Sequence, residues 1–131
     1  MAGMDTAPTF YPLLRYRDAR AAIAFLTTAF GFAEREVTVH DGVVVHAELT
    51  YGTGIVMLGT LGVGDPLWDL TPTGVYVAVD DPDAHHARAV AAGADIVMPL
   101  TDQDYGSREY AARDPEGNVW SFGTYRPAPK E

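Results

Sequence analysis

Two stretches of the chain carry the same succession of hydrophobic and polar positions. In the first, Phe10 to Tyr16 reads as a strand, and Asp18 is placed to accept the free amides of a helix start. Apolar residues then recur at Ala19, Ala22, Ile23, Leu26, Ala29 and Phe30, the three-and-four spacing of a helix with one buried face, and Gly31 closes it. Phe32 to Val39 and Val43 to Tyr51 are extended runs joined at His40-Asp41-Gly42, where Asp-Gly suits a tight hairpin. Tyr51-Gly-Thr-Gly54 turns the chain into a further strand, Ile55 to Leu58. The unit is βαβββ.

The pattern begins again at Gly74. Val75 to Val79 is extended, and Asp81-Pro82 places a helix cap before proline at the first helical position. Ala84, Ala87, Val90 and Ala91 supply an apolar stripe, and Gly93 ends the helix. Ile96 to Met98 and Arg108 to Arg113 read as strands, and Asp114-Pro-Glu-Gly-Asn118 turns into a last strand, Val119 to Tyr125. The reading is an internal duplication in one domain spanning residues 1–131: repeat one at about 10–60, a Gly- and Pro-rich linker at 61–73, and repeat two at about 74–126. Residues 1–8 and 127–131 read as frayed tails. Neither half has core enough to stand alone.

Composition narrows the function classes. There is no cysteine, which removes disulfides, thiol catalysis and cysteine-ligated zinc. The 18 acidic against 9 basic residues give a net charge of −9, which repels a phosphate backbone and anionic lipid, so neither nucleic acid nor a membrane is the expected partner. No run approaches the roughly 20 apolar residues of a membrane span, and the N-terminal Met-Ala-Gly-Met-Asp-Thr lacks the basic and apolar parts of a secretory signal. The expected location is the cytoplasm. No phosphate-binding glycine loop, nucleophile elbow or His-Glu-x-x-His motif occurs.

The duplicated unit, the Phe30-Gly-Phe32 that ends the first helix, and above all Tyr105-Gly-Ser-Arg-Glu-Tyr-Ala-Ala-Arg-Asp-Pro-Glu-Gly-Asn-Val-Trp-Ser-Phe122 resemble the glyoxalase/bleomycin-resistance (vicinal oxygen chelate) superfamily over nearly the whole chain. The resemblance implies an α+β fold of two tandem βαβββ repeats forming a cupped mixed sheet, and a homodimer with clefts at or near its interface. It also implies metal ligands, usually histidine or glutamate, on the first and last strand of each repeat. Here those positions fall on Tyr11 and Met57 in repeat one, and on Gly74 or Val75 and Ser121 in repeat two. None offers an imidazole or carboxylate, so neither metal nor cofactor is expected.

Other residues are candidates for contact with a ligand. His46 and Glu48 lie two apart on a strand whose other face is apolar at Val43, Val45, Ala47 and Leu49, so both are expected to face the cleft, as a general-base pair or as a hydrogen-bonded surface pair. Tyr11 and Tyr76 have cleft-facing parity, and Trp68 is an indole in the linker. Arg108 and Tyr110 share a face, inner or outer. Trp120 and Phe122 point to the core, and His40, His85 and His86 read as surface residues. The function this predicts is metal-independent binding of a small organic ligand of aromatic character, as in antibiotic-sequestering relatives. The alternative is an enzyme of the same superfamily using His46 and Glu48 or an unrecognised metal site.

Overall fold

The computed structural model describes residues 7, 8 and 10–127, so most of the two expected tails lies outside it. Repeat one contains β1 (Leu13–Tyr16), α1 (Ala19–Phe30), β2 (Ala33–His40), β3 (Val43–Tyr51) and β4 (Gly54–Thr60). A single 3₁₀ turn, Pro66–Trp68, interrupts the linker. Repeat two contains β5 (Gly74–Ala78), α2 (Pro82–Ala91), β6 (Asp95–Asp102), β7 (Arg108–Arg113) and β8 (Val119–Gly123). The fold is α+β, two copies of βαβββ, as the pattern predicts.

Each repeat makes its own four-stranded mixed sheet, ordered β1-β4-β3-β2 and β5-β8-β7-β6. The first strand of each repeat runs parallel to the last, pairing Leu14 with Leu58 and Val77 with Phe122. Local chemistry explains the joints. Asp18 and Asp81 cap their helices by accepting from the amides of Ala21 and Ala84 at 3.0 and 3.1 Å. Asp41 and Gly42 both take positive φ, 52° and 77°, the geometry a two-residue hairpin turn demands.

One hydrophobic core serves both repeats. Leu14, Leu26, Phe30, Leu49, Leu58 and Phe122 are all within 2% of complete burial, each worth about 2 kcal/mol relative to an exposed position. Phe30, the last residue of α1, packs edge-on against Phe122 of β8 at 4.8 Å and also meets Trp120 at 5.9 Å. The helices therefore lie on the inner faces of the sheets and meet each other, leaving one face of each sheet without a helix.

Three local expectations are corrected. β1 starts at Leu13, so Phe10 and Tyr11 precede the ladder. β3 does not keep strict alternation: its buried residues are Val44, Ala47 and Leu49, because the pairing with β2 slips between Thr38 and Val39. On α2 the stripe Ala84, Ala87, Val90 and Ala91 is exposed, and Pro82, His85 and Ala89 are buried instead. Burial of that face depends on His85, whose Nδ1 lies 2.5 Å from the Tyr110 hydroxyl and whose Nε2 lies 2.8 Å from the Phe30 carbonyl. A ring with both nitrogens matched fits the core better than alanine methyls, which leave polar groups unanswered. Burial lowers the His85 pKa, and Arg88 adds to the shift against the opposing Phe30 carbonyl.

Candidate functional site

The residues at the family's ligand positions meet across the strand ladders on the open, helix-free faces. In repeat one, Leu13 lies opposite Met57, which lies opposite Glu48. In repeat two, Tyr76 lies opposite Ser121, which lies opposite Ala111. The register thus puts Leu13 rather than Tyr11 across from Met57, and Tyr76 rather than Gly74 or Val75 across from Ser121. A thioether, an isobutyl group, a phenol and a hydroxymethyl do not form a donor set for a divalent cation. Among the described residues no group of three or more histidine, aspartate or glutamate side chains is arranged to hold one.

His46 and Glu48 share the open face of repeat one. His46 Nε2 lies 2.9 Å from Glu48 Oε2, and the other carboxylate oxygen is paired with Arg35 of β2. The His46 contact, reinforced by Arg35, lowers the Glu48 pKa. A carboxylate held in its charged form is a weak proton acceptor. In this pair Glu48 is suited to orienting the imidazole, and His46 is the group placed to take a proton.

Arg108 and Tyr110 do not join this face. Tyr110 is fully buried against His85, so alternation turns both residues inward, and Arg108 reaches past the sheet to Asp83 at 2.6 Å and Asp102 at 3.0 Å. Trp68 remains about half exposed on the linker turn, as does Tyr11 ahead of β1. The open face of repeat two instead carries Glu109, which lies one residue from both Arg108 and Tyr110 and so points the opposite way. Glu109 accepts from the Tyr105 hydroxyl at 2.8 Å and is covered to 92% because Gly123, opposite it, has no side chain to occupy the space. The signal for Glu109 was the alternation of β7 combined with glycine on β8.

A concavity lies between the repeats, and of the candidate ligand-contacting residues Tyr76 alone lines it. It has a volume of about 520 Å3 and is bounded by the β3–β4 turn, by Val56, by Val75, Val77 and Val79 of the second repeat, and by Trp120. Its origin is a broken internal symmetry. The ladders equate Val56 with Trp120, the helix caps equate Val79 with Tyr16, and the turns equate Tyr51 with Asp114. On one side Tyr16 donates to Asp114 at 2.6 Å, Trp120 Nε1 donates to the same oxygen at 3.0 Å, and the space is full. On the other, two valines and a two-residue turn leave it open.

A model of the Glyoxalase/Bleomycin resistance protein/Dioxygenase superfamily matches residues 9–122. The chain belongs to that superfamily. It is 34% identical over 129 residues to an uncharacterized protein of Mycobacterium bovis, covering 92% of this chain and 85% of the relative. It is also similar to the crystal structure of TioX from Micromonospora sp. ML1, with 36% identity, a TM-score of 0.77, and coverage of 89% of this chain and 99% of the other. The lactoylglutathione lyase of Agrobacterium tumefaciens shares the fold at a TM-score of 0.67 and 21% identity, over 88% of this chain and 93% of that one.

Proposed function

We propose that this superfamily member holds a small organic molecule of aromatic character on the open faces of its sheets without a metal, as a cytoplasmic homodimer. The observation that supports the reading is the ligand-position row itself: Leu13 and Met57 in one repeat and Tyr76 and Ser121 in the other offer apolar contact, a phenol ring and a single hydroxyl. That is the composition of an organic-ligand site rather than a metal centre. Tyr76, Tyr105 and Tyr125, all at least 39% exposed, extend the aromatic surface, and Tyr105 and Tyr125 already stand edge to face at 6.1 Å. Exposed apolar side chains at Leu13 and Trp68 support a partner protomer covering part of this surface. Among the described residues no helix is long and apolar enough to cross a membrane.

The test is titration of the purified protein with a panel of aromatic metabolites and antibiotics, with chelator present, followed through tryptophan fluorescence and amide shifts. The reading predicts saturable changes around Tyr76 and Ser121 that chelation leaves intact. Tight stoichiometric uptake of nickel, zinc, manganese or iron, with ligand binding dependent on it, would contradict the reading.

The His46–Glu48 contact of 2.9 Å favours a second reading, an enzyme in which Glu48 orients a His46 base. Glu48→Gln separates the two. A binding protein loses modest affinity, whereas an enzyme loses most of its turnover with its fold intact.

A further inference from the structure

Glu109 is a carboxylate that the chain buries without giving it a cation. Only 8% of the residue is exposed, and its one described side-chain donor is the Tyr105 hydroxyl, 2.8 Å from Oε1. Nothing among the described residues donates to Oε2. No described buried side-chain oxygen lacks a partner, so Oε2 opens to the surface of the sheet. Asp114, buried to a similar degree, is met by Tyr16, Trp120 and Asn118. The arginines nearest in sequence are turned elsewhere: Arg108 pairs with Asp83 and Asp102, and Arg126 with Asp80 at 2.8 Å. A carboxylate taken out of water with one donor carries a desolvation cost that an opposite charge would offset.

The other repeat shows what is missing. The ladders pair Arg15 with Gly59 in repeat one and Ala78 with Gly123 in repeat two. A β-carbon placed on Gly59 would lie 3.6 Å from Arg15 Cδ and Nε, so there the chain lays its own cation across the glycine, anchored to the Val63 carbonyl and Asp69. A β-carbon on Gly123 would instead lie 2.5 Å from Glu109 Cγ, 2.9 Å from the Tyr76 hydroxyl oxygen and 3.1 Å from the Ser107 hydroxyl oxygen. Three polar side chains thus converge on this glycine, and alanine stands where repeat one has its guanidinium.

Tyrosines surround the group. Tyr105 and Tyr125 stand at 78° to each other with centroids 6.1 Å apart, and Tyr76 donates to the Tyr125 carbonyl at 2.7 Å. All three rings are partly exposed, and the face of a tyrosine ring attracts a cation. Tyr76 is also a wall of the inter-repeat cavity, so apolar volume adjoins the charged group along the same ring.

We propose that the ligand of the open face is an organic cation, an apolar or aromatic body bearing one protonated amine, and that its ammonium donates to Glu109 Oε2 among the rings of Tyr76, Tyr105 and Tyr125. The proposal rests on the open-face reading above and names its ligand class. The net charge of −9 acts in the same direction, raising the local concentration of cations around the protein.

The probes are 2-naphthylmethylammonium and the neutral 2-naphthylmethanol, added at neutral pH with chelator present to the nitrogen-15-labelled full chain. Saturable shifts are expected at the Tyr105, Glu109 and Gly123 amides, with the ammonium bound about tenfold tighter than the alcohol and its affinity falling as salt rises. Glu109→Gln, which keeps the shape and removes the charge, is expected to bring the ammonium down to the alcohol and leave the alcohol unchanged; should that variant not fold, the wild-type comparison decides alone. Equal affinity of the two probes at the open face would overturn the ammonium assignment and leave the open-face reading standing. Open-face shifts from neither probe would overturn both. Shifts confined to His46 and Glu48 would move the cation to repeat one and overturn the assignment to Glu109. Lys130 lies outside the described residues. An ammonium preference that emerges only in Lys130→Ala would make the chain's own lysine the partner, and would overturn the proposal too.

Discussion

Tyr51 and Asp114 stand at corresponding points of the two repeats, and the molecule uses them in opposite ways. Asp114 is 96% buried and gathers the Tyr16 hydroxyl, the Trp120 indole, the Asn118 amide and the main-chain amides of Glu116 and Asn118. Tyr51 is half buried on the wall of an open cavity, its ring edge-on to His85 at 5.8 Å. A duplicated unit gives each turn the same neighbour, the start of the other repeat's helix. Turn length then decides the outcome: the longer turn carries Glu116, which accepts from the Arg17 and Asp18 amides and closes its side. The shorter one leaves a volume, and no described residue accepts from the Asp80 and Asp81 amides. One half is closed by buried side-chain hydrogen bonds, and the other keeps an open volume.

Substitutions on the filled side should therefore be costly. The largest effect belongs to Asp114→Ala, which strands a buried phenol, an indole N–H and two main-chain amides together. A loss of about 3 kcal/mol or more is expected in urea unfolding. Tyr16 itself has its pKa raised, first by burial and then by Asp114, so it remains a donor throughout the working pH range. A smaller effect is expected from Glu116→Ala, about 1 kcal/mol, in line with removal of a helix cap. It should fall on the start of α1 in hydrogen exchange and leave α2 unchanged. Were α2 to respond equally, the two ends would not be the independent structures described here.

The smallest effect concerns pH. Burial lowers the His85 pKa in the folded state, so the unfolded chain binds the proton more readily. Stability should fall as pH drops through the ordinary histidine range near 6.5 toward the folded value, and His85→Gln should flatten that part of the curve. An unchanged slope in the variant would show that burial does not hold the His85 ring neutral.

Much of this was legible in the sequence. Capping aspartates, the Asp41-Gly42 hairpin, the apolar face of α1 and the repeated order of strands are local signals, and each appears where the pattern puts it. The misses arise where a polar side chain is satisfied by tertiary partners. His85 reads as surface until the Tyr110 hydroxyl and Phe30 carbonyl are seen beside it, and that same choice rotates the buried face of α2 away from its alanines. Glu109 reads as an ordinary strand carboxylate until Gly123 is known to lie opposite. Asp114 looks like turn chemistry alone, because nothing local says that Tyr16, 98 residues earlier, will donate to it. The strand slip at Val39 and the two-residue offset from Tyr11 to Leu13 depend on pairing, which periodicity does not specify.

The contrast between the halves is tested most directly by amide hydrogen exchange at equivalent positions, Asp18 against Asp81, in the ligand-free protein. The Asp18 amide, held by Glu116, is predicted to exchange slowly, and the Asp81 amide to exchange nearly as fast as an unstructured one. Equal protection at the two sites would mean that the inter-repeat cavity is already closed, and the asymmetry on which this account rests would be wrong.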